Sequence, residues 1–118
     1  MNVQIFGTNK SQETKKALRF FKERSIKPQF VDLKEHSMAR GELQHFVQKY
    51  GYQALINRQS KAYQRAGLEY MRLSEDDWLE RLLEQPELMV QPLLRSGKHL
   101  SIGWSEAQWR DIYEASKP

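Results

Sequence analysis

The feature that most constrains this chain is its first thirty-three residues. A short apolar run, Val3-Gln4-Ile5-Phe6, passes through Gly7 and a polar turn, Thr8-Asn9-Lys10-Ser11, into a basic amphipathic segment. In that segment Ala17, Leu18, Phe20 and Phe21 recur at helical spacing, with Lys15, Arg19 and Lys22 on another face. The spacing predicts a helix from about Ser11 to Arg24, capped by Asn9 or Ser11. Ser25-Ile26-Lys27-Pro28 ends it, because a residue before proline resists the helical region. Gln29-Phe30-Val31-Asp32-Leu33 then reads as a second strand. Strand, helix and strand at this spacing form a right-handed parallel βαβ unit.

The turn before the helix has chemical consequences. A strand that feeds a helix N-terminus brings unpaired backbone N–H groups together at Ser11, where an anion or a thiolate would be stabilised. The chain has no cysteine, however. That excludes disulfides, thiolate metal sites and thiol catalysis by this chain alone. The site's frame is readable while its reactive atom is missing.

Downstream, Leu43, Phe46, Val47 and Tyr50 make one apolar stripe that Gly51 stops. Ala62, Tyr63, Ala66 and Leu68 predict a brief helix. Ser74 followed by Glu75, Asp76 and Asp77 opens another, with Trp78, Leu79, Leu82 and Leu83 as its buried face and Gln85-Pro86 as its end. Pro92 to Arg95 and His99 to Ile102 flank Ser96-Gly97-Lys98, a hairpin turn. Ser105 to Gln108 reads as a capping box for a last helix with Trp109, Ile112 and Tyr113 inward. The predicted order is βαβ, helices, ββα. At 118 residues the expectation is a single domain, residues 1–118, with a helical insertion at about 37–90. No apolar run reaches membrane-spanning length and the first residues carry no signal pattern, so a cytoplasmic location is expected.

Four segments, in this order and spacing, resemble the arsenate reductase-like family, ArsC, Spx and their relatives, over roughly Val3 to Tyr113. They are Ile5-Phe6-Gly7 with Lys15-Lys16-Ala17, Leu55-Ile56-Asn57-Arg58, Leu73 through Pro86, and Pro92-Leu93-Leu94 with Gly97-Lys98 and Ile102-Gly103-Trp104. The resemblance implies an α/β, thioredoxin-like fold of the ArsC type: a mixed four-stranded sheet with a helical insertion. It also implies a cysteine four residues after the glycine, where this chain has Ser11. Related redox regulators carry a second cysteine three residues on, where this chain has Thr14. An arginine precedes the family's cis proline; here the pair is Gln91-Pro92, and Pro92 is expected to be cis. The arginine of the middle loop is represented by Arg58.

These positions define a candidate anion or ligand site of Thr8, Asn9, Lys10, Ser11, Arg58, Gln91 and Pro92. A small oxyanion or glutathione is its expected occupant. An ordinary helix cap at Ser11 is the simpler reading, and serine is a poor nucleophile without a nearby base. Arg40 and Arg95 are further arginines able to meet an oxyanion. Lys15, Arg19 and Lys22, extended by Lys16 and Arg24, form a candidate partner-binding face whose simpler reading is a solvated surface. The formal net charge of +4 is compatible with either. Nucleic acid is not expected, because Phe20 and Phe21 point to the core and leave no stacking platform. His36, His45 and His99 lack ligand spacing, so no metal and no cofactor is expected. The resulting expectation is a catalytically silent, protein-binding relative, with the RNA polymerase α-subunit as partner by resemblance only. The competing expectation is an ArsC-like oxidoreductase or oxyanion-binding protein using the pocket around Ser11.

Overall fold

The computed structural model describes residues 2–116. It divides into two compact units, Met1–His36 with Gln91–Pro118, and Ser37–Val90.

The first unit is a mixed four-stranded sheet with strand order β2-β1-β3-β4. Strand β1 (Gln4–Gly7) lies parallel to β2 (Gln29–Asp32) and antiparallel to β3 (Leu93–Ser96). Strand β4 (His99–Ile102) completes the predicted hairpin with β3. Helix α1 (Gln12–Glu23) supplies the crossover and α6 (Glu106–Ser116) closes the unit. The core gathers Val3, Ile5, Ala17, Phe20, Phe21, Leu94, Trp109 and Ile112. Burying each large apolar side chain contributes about 1.5–3 kcal/mol. Phe20 meets Phe21 and Trp109 edge-on, at ring-centroid distances of 5.1 and 5.7 Å.

Gly7 sets how closely α1 approaches β1. A Cβ at this position would lie 2.4 Å from Oγ1 of the fully buried Thr14. Only glycine leaves room for that helix turn against that strand.

Both ends of α1 follow from local sequence. Ser11 is the N-cap, its Oγ accepting the Thr14 N–H at 3.1 Å. At the other end the Ile26 N–H reaches the Phe21 carbonyl at 2.9 Å and the Ser25 N–H reaches Lys22 at 3.1 Å. That pair is a Schellman ending, and it puts Ser25 at φ 61°, a left-handed conformation glycine would normally occupy. The capping box predicted for α6 is half formed. Ser105 Oγ accepts the Gln108 N–H at 3.3 Å, but Gln108 Oε1 is buried without a hydrogen-bond partner.

The second unit is helical: α2 (Arg40–Tyr50), α3 (Tyr52–Leu55), α4 (Lys61–Arg65) and α5 (Glu75–Glu84). Gly51 ends α2 at φ 82°. Ser60 and Ser74 cap α4 and α5, accepting N–H groups from Tyr63 and Asp77. On α5, Leu79 and Leu82 are buried as expected. Trp78 and Leu83 are only half-buried, because the four positions spread over about 140° of the helix circumference and these two lie at its edges. An isolated bridge joins Ile56 to Met89.

Candidate functional site

Strand register assembles the loop after β1. Phe6 pairs with Leu93 on β3, so the chain just before β3, Gln91-Pro92, lies beside the chain just after β1. Gly7 pairs with Asp32 on β2, which brings the end of β2 to the same place. Loops at the carboxyl ends of strands are where α/β proteins place ligands.

The polar groups of this loop bond to one another. Gln91 Oε1 accepts from the Thr8 N–H at 2.9 Å and from the Thr8 hydroxyl at 3.2 Å. Asn9 Nδ2 donates to Asp32 Oδ2 at 3.2 Å, and the other oxygen of Asp32 accepts the Lys34 N–H. The Ser11 N–H donates to the Thr8 carbonyl at 3.1 Å. Ser11 Oγ holds the Thr14 N–H, as described above. The peptide bond between Gln91 and Pro92 is cis, as the resemblance implies. Lys10 is exposed and Ser11 half-exposed.

The structure therefore brings together Thr8, Asn9, Lys10, Ser11, Gln91 and Pro92. Asp32 joins them. Its carboxylate places negative charge beside the loop and disfavours an oxyanion there. Sequence reading passed over Asp32, although its place at the end of a strand parallel to β1 is the signal that could have found it. Gln91 differs from an arginine in kind. An arginine would present only donors to an anion, whereas Gln91 offers a carbonyl that accepts from Thr8.

Arg58 belongs to the second unit, exposed on a turn where Asn57 Oδ1 accepts the Gln59 N–H. Of the other arginines, Arg40 pairs with Glu80 and Arg95 Nε donates to the Gly97 carbonyl at 3.0 Å. Also in the second unit, burial holds the Tyr50 phenol above its ordinary range. Tyr52 is shifted the same way, by burial first and then by the charges of Glu75 and Asp76.

Along α1, Lys15, Arg19 and Lys22 are exposed. Two further basic residues of that face, the exposed Lys16 and the half-buried Arg24, lie over aromatic rings. Lys16 Nζ sits 4.1 Å from the centre of the Trp104 ring, and Arg24 sits 3.6 Å from that of Phe20. Trp104 is 49% exposed and stacks on the buried Trp109. Among the described residues no cluster of metal-binding side chains occurs, and no helix is long and apolar enough to cross a membrane.

Comparison with known proteins gives the frame a family. Among solved structures, the chain is similar to the YFFB protein, with 21% identity, 94% of this chain and 98% of that one covered, and a TM-score of 0.84. It is similar to an arsenate reductase from Vibrio cholerae, with 23% identity, coverage of 95% and 98%, and a TM-score of 0.81. At these identities the likeness establishes the fold. A curated relative, the global transcriptional regulator Spx 1 of Lactococcus lactis, is 29% identical over 75 residues, which is 62% of this chain and 59% of the regulator. The match thus spans well under two thirds of that protein. The ArsC family model matches residues 6–112, nearly the whole chain, with all of β2, β3 and β4 and the second half of β1. A cysteine-free chain that keeps the sheet, the cis proline and the capped first helix in this order belongs to the ArsC family.

Proposed function

We propose that this chain is a non-redox member of its family that works by binding a protein, as a regulatory module in the cytoplasm. One observation carries the reading. The position where the family places its reactive cysteine holds Ser11, whose Oγ is engaged as the acceptor of the Thr14 N–H, in a chain without any cysteine. Reduction of arsenate by a thiol requires a sulfur nucleophile that forms a covalent adduct and is then released by a second thiol. A serine hydroxyl performs neither step, and among the described residues nothing bonded to Ser11 is a base. The arrangement around Gln91 and Asp32 supports the same reading. Three backbone donors at the head of the helix, the Thr8, Ser11 and Thr14 N–H groups, are bonded to internal acceptors.

The nature of the partner follows by family analogy, which is a weaker warrant than site chemistry. The Spx 1 relative is a global transcriptional regulator. The RNA polymerase α-subunit is accordingly the first partner to test.

The test combines the purified chain with arsenate, glutathione and glutaredoxin. The reading expects no turnover above the protein-free background. In parallel, the chain is titrated with purified α-subunit, and saturable binding is expected. Arsenate turnover that disappears in Ser11→Ala would replace this reading with the oxyanion-handling one.

A further inference from the structure

The far end of α1 carries a second feature. Leu18, Lys22, Ser25, Ile26, Lys27 and Pro28 line an open depression of about 510 Å³. The Schellman ending builds it. Because Ser25 turns left-handed, the chain reverses and lays Ile26 back toward Phe21, one helical turn from Leu18. Leu18 and Ile26 pack against the core on one side and remain half-exposed on the other, and Pro28 is likewise half-exposed. The floor is therefore apolar and rigid. Its rim is basic. Lys22 and Lys27 are exposed, and neither is paired with a carboxylate among the described residues. Arg19 and Lys15, three and seven residues before Lys22, continue the positive charge along the same helix face.

Resting on the protein-binding reading above, we propose that this groove receives an acidic, amphipathic segment of the partner, with an apolar side chain on Leu18, Ile26 and Pro28 and carboxylates against Lys22 and Lys27. Charge complementarity selects this occupant. A second copy of the chain would bring the same basic face and a net charge of +4. A nucleic acid would need stacking surfaces, and the groove lining contains no aromatic ring. An apolar anchor within a charged rim fits a short helical or extended peptide.

The probe is a synthetic peptide with two adjacent leucines flanked on each side by aspartates, titrated into the isotope-labelled full chain. Amide and methyl resonances of Leu18, Lys22, Ile26 and Lys27 should shift together and saturate. Lys22→Glu combined with Lys27→Glu should weaken binding at least tenfold. A peptide with lysines in place of the aspartates should then bind the doubly reversed chain. Both lysines are exposed, so the fold is not at stake. The proposal is overturned if no saturable shift occurs, or if a peptide with serines in place of leucines binds equally well. Concentration-dependent shifts of these residues without peptide would overturn it in favour of self-association. Failure here without arsenate turnover leaves the protein-binding reading standing and moves the surface elsewhere. Turnover that requires Ser11 removes the reading itself.

Discussion

The two ends of α1 invert the usual division of labour in this fold. At its N-terminus, where the family places its chemistry, three polar side chains are bonded internally, Ser11 to Thr14, Thr8 to Gln91 and Asn9 to Asp32, while Thr14 Oγ1 is buried without a hydrogen-bond partner among the described residues. At its C-terminus, usually just a stop signal, the turn is closed by backbone hydrogen bonds but Lys22 and Lys27 have no carboxylate partner among the described residues, and apolar surface stays open. Serine in place of the family's cysteine leaves the frame intact. What remains available for recognition lies where that frame leaves groups unsatisfied.

The sharpest way to break this comparison is to disturb the frame itself. Gly7→Ala forces a Cβ to within 2.4 Å of Thr14 Oγ1, with the Thr14 Cγ2 at 2.8 Å. Overpacking of this kind costs about 1–3 kcal/mol, read from urea unfolding. Thr14→Ala in the same chain removes both atoms and should return most of the loss. An unchanged midpoint for Gly7→Ala would mean that α1 does not rest on β1 as described.

The two caps of α1 give opposite and smaller effects. Ser11→Ala removes the only side-chain acceptor for the Thr14 N–H and should cost about 1 kcal/mol. Ser25→Gly relieves a left-handed residue and should stabilise by about 1 kcal/mol. A helix whose N-terminus were held open for a ligand would lose little on Ser11→Ala, and that result would break the contrast. Ser11→Cys sharpens it differently. The helix N-terminus should lower the new thiol's pKa below the ordinary value of about 8.5, so its alkylation rate should titrate at lower pH than that of a free thiol.

The smallest effect is a control in the other unit. Burial raises the Tyr50 phenol above its ordinary value of 10.0, so the unfolded chain ionises first. Stability from this group is intact below that pH and is lost as pH rises through the folded-state value. Tyr50→Phe should flatten the alkaline decline in melting temperature, while the α1 variants leave its slope unchanged.

Much of the fold was legible because the punctuation is local. Ser11 and Ser74 cap helices where their hydroxyls predict, and Gly51 stops α2. The mixed four-stranded sheet and the cis proline came through resemblance, since neither strand adjacency nor isomer state is written in residue spacing. The site was half legible. Its loop could be located from the strand-turn-helix pattern. That Gln91 and Asp32 bond into it depends on register, which pairs residues 83 and 23 positions apart. The groove was least legible. It depends on a serine adopting a glycine's conformation, which no residue spacing announces.

The measurement that bears most directly on the account is an amide-resolved titration of the labelled chain with arsenate at constant ionic strength. With these three N–H groups already bonded, the Thr8, Ser11 and Thr14 resonances should stay in place through millimolar arsenate. Saturable movement of those three resonances would show an anion site still open at the head of α1, and would contradict the account.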